Sequence, residues 1–253
     1  MTPPTRDITE LSLLDSAKIN EGEDKTLYNH KQVQEIVHHF NTVEYDRPFS
    51  LGDFDITLRD AGHILGSASI EITDRSGQPG SNKIIFSGDL GNSPQDLINP
   101  TEPIGPAEAV VMESTYGDSS HPAENPSQVI QAEINAVEAS GGTLLIPAFS
   151  IERSQELLHR ISHLKKAGLV KNETPIFFDS PMAEKVTQIF EKHHQYFNEE
   201  LKEDFAHEDP FMFPGLTVVD NKEAFETLTQ AVGTKVVIAG SGMMTGGRIL
   251  GQA

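Results

Sequence analysis

The chain has 253 residues, enough to bury a sizeable core in one large or two smaller domains, and it contains no cysteine. That excludes disulfides, cysteine nucleophiles and thiolate metal sites, so any metal must be held by His, Asp and Glu. A formal charge of −19 and a pI near 4.8 argue against a broad basic face that grips nucleic acid, so any such contact is local. No apolar run reaches the roughly 18 residues of a membrane span, and the N-terminus lacks an apolar signal core, which predicts a cytoplasmic protein with no membrane partner.

In chain order, residues 7–20 predict a helix with a mixed face of Ile8, Leu11 and Leu14 or Asp15. Residues 31–40 predict a second, with Val33, Ile36, Val37 and Phe40 on one stripe and His38 and His39 on the wet side. Phe54–Leu58 and Ala68–Ile72 alternate with period two and read as half-buried strands. Between them, Asp60-Ala61-Gly62-His63-Ile64-Leu65-Gly66-Ser67 presents His63 from a loop whose glycines allow close approach. A lone loop histidine is more often a hydrogen-bonded structural residue. The stretch 76–82 reads as a hairpin loop. Two apolar runs then end in acids: Lys83–Phe86, a buried strand leaving through Ser87-Gly88-Asp89, and Ala109–Met112 leaving through Glu113. A carboxylate at a strand exit can reach a site at the sheet edge, although Asp beside Gly is also an ordinary turn residue.

From about residue 120 helices and strands alternate. Asn125-Pro126 caps a helix carrying Ile130, Ile134 and Val137, and Thr143–Pro147 is a strand. A helix opening at Ser150-Ile151-Glu152-Arg153 has the stripe Leu157, Leu158, Ile161 and Leu164. His159 and His163, spaced i, i+4, fall opposite that stripe and read as solvent-facing. Pro175–Asp179 predicts a strand, followed by a helix running from Ser180-Pro181 to Phe197, and residues 198–215 predict irregular acidic chain. A helix at 222–231 leads to the strand 235–239, a glycine loop Gly240-Ser241-Gly242 and a further helix, whose backbone N–H groups could cradle a phosphate; a tight turn fits equally well. The first part thus reads as a mixed sheet and the second as a parallel α/β unit.

These motifs, in their order, resemble the RNA-metabolising metallo-β-lactamase family with an inserted β-CASP domain, which includes ribonuclease J and the cleavage-and-polyadenylation endonuclease. Asp60–Ser67 is similar to the family's third metal motif and Phe86–Asp89 to its fourth. Glu113-Ser114-Thr115-Tyr116-Gly117 is similar to the first β-CASP motif. Ile146–Arg153, Asp179–Ala183 and Gly240–Met244 match further β-CASP signatures. The resemblance implies an α/β fold: a partial metallo-β-lactamase αββα sandwich over 1–116, and a β-CASP domain with a largely parallel sheet over 117–253. It implies zinc-dependent hydrolysis of RNA, with His63 and Asp89 as metal ligands, Asp89 bridging two zinc ions, and Glu113 orienting a catalytic histidine. Ser150, Arg153, Ser241, Gly242 and Arg248 fall where substrate phosphates would be held; capping and packing explain Ser150 and Ser241 as well.

The family's His-x-His-x-Asp-His motif is absent, and the chain stops before two further family histidines. The resemblance therefore implies a chain cut at both ends, a poor zinc binder that is inactive alone. Its partners would be RNA and either a second copy of itself or a catalytic partner chain. The other reading is a non-catalytic module that binds RNA or protein.

Overall fold

The structure is a computed structural model and describes residues 1–20, 27–77, 82–91, 96–120 and 124–252. It divides into two compact units, Met1–Ser119 with Ile189–Lys202, and Ser120–Gln188 with Glu203–Ala253.

The first unit opens with helix α1 (Pro3–Ile19), which starts four residues before the expected position because Thr2 caps it and Pro3 occupies the first turn. Helix α2 (His30–Val37) is held by a reciprocal capping box between Asn29 and Gln32. Val33 and Val37 pack with Ala17 of α1, edged by Leu13, Leu14, Tyr28 and Phe40, while Ile36 stays exposed. His38 and His39 are exposed, as their positions off the apolar stripe predict.

Five strands follow: β1 (Phe49–Leu51), β2 (Phe54–Asp60), β3 (Ala68–Asp74), β4 (Lys83–Phe86) and β5 (Ala109–Val111), in the spatial order 1-2-3-4-5. All pairs are antiparallel except β4 with β5. The register sets Ile56 against Ile72 and Ile72 against Ile84, with Leu58 against Ile70 and Ile70 against Phe86, so the apolar residues share one face. The other face carries Arg59, which pairs with Asp46, Glu102 and Glu71, while Lys83 pairs with Glu71 at 2.8 Å. The expectation that Lys83–Phe86 is fully buried is corrected: Ile85 is buried but Phe86 is 40% exposed, and Val110 and Val111 are more exposed still. Among the described residues β5 pairs with β4 alone and so lies at the sheet edge, which leaves Val110 and Val111 open to solvent. The expected loop at 76–82 falls largely outside the described residues.

Residues 189–202 complete this unit, although no sequence pattern announces their return. Phe197 bridges to Ile98, and Asn198 donates to the carbonyls of Leu97 and Asp96. Asp7 of α1 accepts from Lys192 and bonds His193 at 2.7 Å. Phe197 and Leu97 are fully buried.

The second unit has a four-stranded, wholly parallel sheet ordered β6 (Thr143–Pro147), β9 (Lys235–Ala239), β7 (Ile176–Asp179), β8 (Leu216–Val218). Its helices are α3 (Pro126–Ser140), α4 (Arg153–Lys166) and α7 (Lys222–Gln230), with the first part of α5 (Pro181–Lys192) and the last part of α6 (Glu199–His207), whose other ends belong to the first unit. The central strands are dry, with Ile176, Phe177 and Phe178 and Val236, Val237 and Ile238 all buried, as expected of a parallel sheet covered on both faces. Phe177, Val219, Leu228, Val237, Ala239 and Ile249 form one core cluster.

Three local expectations are corrected here. α5 ends at Lys192 rather than reaching Phe197, and a 3₁₀ turn, His194–Tyr196, follows it. The stretch 198–215 is not irregular throughout: α6 forms because Asn198 accepts the Leu201 N–H at 2.8 Å and Leu201 is fully buried. Beyond Gly247 there is a four-residue 3₁₀ turn, Arg248–Gly251, instead of a helix, because the Ile249 N–H returns to the Gly240 carbonyl at 2.7 Å and buries Ile249.

Candidate functional site

The loop that carries His63 is built almost entirely from backbone-directed hydrogen bonds. Asp60 accepts the Gly62 N–H at 2.9 Å, and Ser67 Oγ accepts the N–H groups of His63 and Ile64. Both Thr2 and Thr5, at the start of α1, donate to the Gly66 carbonyl at 2.7 Å, and Tyr45 donates to the Ser67 carbonyl. On the other side Thr101 donates to the Ala61 carbonyl and the Glu102 N–H to that of Asp60. Gly62 has φ +60° and a Cβ there would lie 2.4 Å from the Thr101 nitrogen, so no other residue fits between the loop and the chain at 99–101. The result is a rigid loop with His63 exposed at its tip.

The acid at the exit of β4 and the acid at the exit of β5 are tied together. The Ser87 N–H bonds the Val111 carbonyl, and Ser87 Oγ accepts the Glu113 N–H at 3.0 Å. The Glu113 carboxylate accepts the Thr115 N–H at 2.8 Å. That bond, with the Thr115 hydroxyl, the Leu90 backbone and the nearby His63 charge, holds Glu113 below the ordinary glutamate range. The Gly91 N–H donates to the Ala61 carbonyl at 2.9 Å, so the chain leaving β4 through Asp89 and Leu90 is tied to the loop that carries His63. Asp89 itself is exposed. Asp60, three residues before His63, was not singled out by its sequence position. Burial pushes its carboxyl up to about 6, with Glu102 and Asp46 adding to the effect and the Gly62 bond opposing it.

The residues expected from the resemblance to hold substrate phosphates lie in the second unit, around the C-terminal ends of its strands. Ser180 accepts the Ala183 N–H at the start of α5, and its hydroxyl lies 3.4 Å from that of Ser150. Gly242 packs against the Phe149 ring, where a Cβ would come within 2.8 Å. The Ser241 carbonyl accepts the Met244 N–H. Arg153 is largely exposed on the first turn of α4 and pairs with Glu156. Arg248 pairs with Asp179, fully buried at the end of β7, which also accepts from Gln252 at 3.0 Å. A cleft of about 550 Å³, lined by Asp179, Asn221, Phe225 and Arg248 among others, opens beside this pair. Ser150 and the Gly240–Gly242 loop are thus gathered near Phe149 and Ser180, whereas the Arg153 guanidinium is engaged along its own helix.

The solvent-facing reading of His159 is overturned: it is 5% exposed. α4 is buried nearly all round, and on the side opposite its leucine stripe Asp204 of α6 bonds both histidines, His159 at 3.0 Å and His163 at 2.8 Å. The i, i+4 spacing was a visible signal; the third partner, 41 residues beyond His163, was not.

Zinc can be tested against the donors present. Among the described residues, the only set of three or more His, Asp or Glu side chains whose ligand atoms come within 4.8 Å of one another is His159, His163 and Asp204. His63 and Asp89 belong to no such set, and two ligands fall short of the three or four that protein zinc sites use. The residues described at this edge do not by themselves fit a zinc centre.

Residues 154–251 match the Beta-Casp domain family. Over 96% of its length the chain is 35% identical to a protein of Thermus thermophilus called ribonuclease TTHA0252, covering 54% of that protein. It is 31% identical, over 97% of its length, to transcription termination factor FttA of Thermococcus kodakarensis, covering 38% of it. It is 26% identical, over 98%, to endoribonuclease YSH1 of Kluyveromyces lactis, covering 33%. The chain spans about half the length of the first of these relatives and less of the others.

Proposed function

We infer, for a chain that belongs to the β-CASP metallo-β-lactamase family of RNA-processing proteins, that it forms part of a zinc-dependent hydrolase of RNA phosphodiester bonds, acting in the cytoplasm. The first unit is assigned as the metallo-β-lactamase-like part and the second as the β-CASP part. The observation that carries the reading is that hydrogen bonds tie the His63 loop to the chain leaving β4 through Asp89, and tie that chain to the Glu113 exit of β5. When bound, zinc in such an enzyme supplies charge that offsets the attacked phosphate and activates water.

The roles of the chain's own residues follow from their positions. His63 and Asp89 offer an imidazole and a carboxylate from fixed backbones. Glu113, kept ionised by the Thr115 N–H, places a fixed negative charge at the exit of β5. Ser150, Ser241 and Arg153 offer the hydroxyls and the cation for substrate phosphates. With a net charge of −19, any RNA contact depends on such local donors rather than on a general field.

Because His63 and Asp89 do not complete a metal site among the described residues, zinc is held there weakly. The test is cleavage of a labelled single-stranded RNA by this chain across a zinc titration. The reading expects no turnover at stoichiometric zinc and slow, metal-dependent cleavage only at large excess. Cleavage that persists in a strong chelator contradicts it. Binding of the RNA without cleavage at any zinc level supports instead the non-catalytic interaction module.

A further inference from the structure

We propose that His159, His163 and Asp204 form a divalent-cation site of the zinc class in the second unit, a clip that joins α4 to α6. It is separate from the His63 edge and is built from different residues. His159 and His163 sit one turn apart on α4, and their rings lie 4.4 Å apart between centroids. Both aim Nε2 at the same oxygen, Asp204 Oδ2, at 3.0 and 2.8 Å. Two imidazole nitrogens and one carboxylate oxygen are a donor set that suits zinc and its neighbours in the divalent series.

The spacing is close to what a metal needs. Ligand bonds of about 2.0–2.1 Å at tetrahedral angles place donor atoms roughly 3.3 Å apart, so an ion would spread the cluster by about half an ångström or less along each of these two contacts. The burial is graded in a way that leaves an entry path: the side chains of His159, Asp204 and His163 are 6%, 26% and 41% exposed. A fourth position toward solvent is therefore open to water. His159 is anchored in a helix whose neighbours Leu158 and Ile161 are buried, and Leu201, one turn before Asp204 on α6, is fully buried too, so both elements hold the donors without help from the ion. The Asp204 carboxylate is already ionised in this environment: burial pushes it up, but the two histidine bonds outweigh that and keep it below the ordinary aspartate range. An ion entering here replaces the two hydrogen bonds to Asp204 with two nitrogen bonds and one oxygen bond, each imidazole binding through an Nε2 that gives up its proton to its own Nδ1 or to solvent, and ties together residues 41 apart in the chain.

The experiment is a Co²⁺ titration of the chelator-treated whole chain, followed by the visible absorption that tetrahedral nitrogen and oxygen ligation produces, with zinc competition as a second reading. The expected result is one tight equivalent per chain. It persists in a variant carrying His63→Ala and Asp89→Asn. It weakens more than about tenfold, a loss already seen when only a group behind a metal ligand is changed, in His163→Gln and in Asp204→Asn. His163→Gln empties no core position because that side chain is partly exposed, so circular dichroism of this variant separates loss of metal from loss of fold if Asp204→Asn is unstable. Absence of a tight equivalent in the unmodified chain overturns the proposal. So does a tight site that survives both His163→Gln and Asp204→Asn in folded protein, or one that disappears only with the His63 and Asp89 changes.

Discussion

The two sheets hold their polar groups in opposite ways. In the first, the strands that lead to Asp89 and Glu113 are half exposed, and geometry is kept by loop hydrogen bonds: Thr2, Thr5, Tyr45 and Thr101 donate to carbonyls of the His63 loop, and Asp60 and Ser67 accept its N–H groups. In the second, β7 is buried end to end and β9 from Val236 onward, and the polar clusters sit where helices and strand ends are locked by core packing. The difference teaches where each kind of site draws its precision. A loop clamped by its own hydrogen bonds keeps a histidine in place beside an open sheet face. A pair of histidines and a distant aspartate meet only if the helices that carry them pack as they do.

The comparison is sharpened first by truncating matched phenylalanines. Phe178→Ala, in the dry sheet, is expected to cost about 3–5 kcal/mol in urea unfolding of the second unit. The second change tests the clamp. Gly62→Ala puts a Cβ against the Thr101 backbone at positive φ and is expected to cost about 3 kcal/mol, read from the urea midpoint of the first unit, although no core side chain changes. Phe86→Ala removes a ring already 40% exposed and is expected to cost under about 1.5 kcal/mol. If Phe86→Ala proves as damaging as Phe178→Ala, the contrast between the sheets fails.

The smallest expected effect depends on pH. Asp60 has its folded value raised to about 6 from an ordinary 3.8, so the folded state holds its proton more tightly than the unfolded chain does. Its contribution to stability is present below about pH 4 and is lost as pH rises through 6. Asp60→Asn keeps an acceptor for the Gly62 N–H and removes that charge. Its melting temperature should match the parent near pH 3.5 and exceed it at pH 7; an equal difference at both values would mean that Asp60 is not buried as a carboxyl.

Much of the first unit's site was legible because it is local. The Asp60–Ser67 loop, the two strand-exit acids and the alternation of β2 and β3 are short-range patterns, whereas the bonds from Thr2, Thr5, Tyr45 and Thr101 that clamp the loop come from distant parts of the chain. The parallel sheet of the second unit was legible for the same reason, since each buried strand is a brief apolar run beside a capped helix. What escaped was set by tertiary packing. The side of α4 bearing His159 looks polar in sequence, yet α6 covers it, and α6 itself hides in a stretch whose acids suggest irregular chain while Leu201 anchors it. The exposure of Val110 and Val111 follows from β5 lying at the sheet edge, which no run of apolar residues reveals. The return of residues 189–202 to the first unit rests on long-range bonds to Asp7, Leu97 and Asp96 that have no local signature.

The proposal that RNA is hydrolysed at the edge carrying His63, Asp89 and Glu113 is tested most directly by Asp89→Asn, assayed for cleavage of labelled single-stranded RNA at excess zinc. The account predicts a fall of more than about a hundredfold, since loss of a ligand should exceed the effect of altering the groups behind one, with the fold unchanged by circular dichroism because Asp89 is exposed. Cleavage at the parent's rate by a folded Asp89→Asn chain would contradict it.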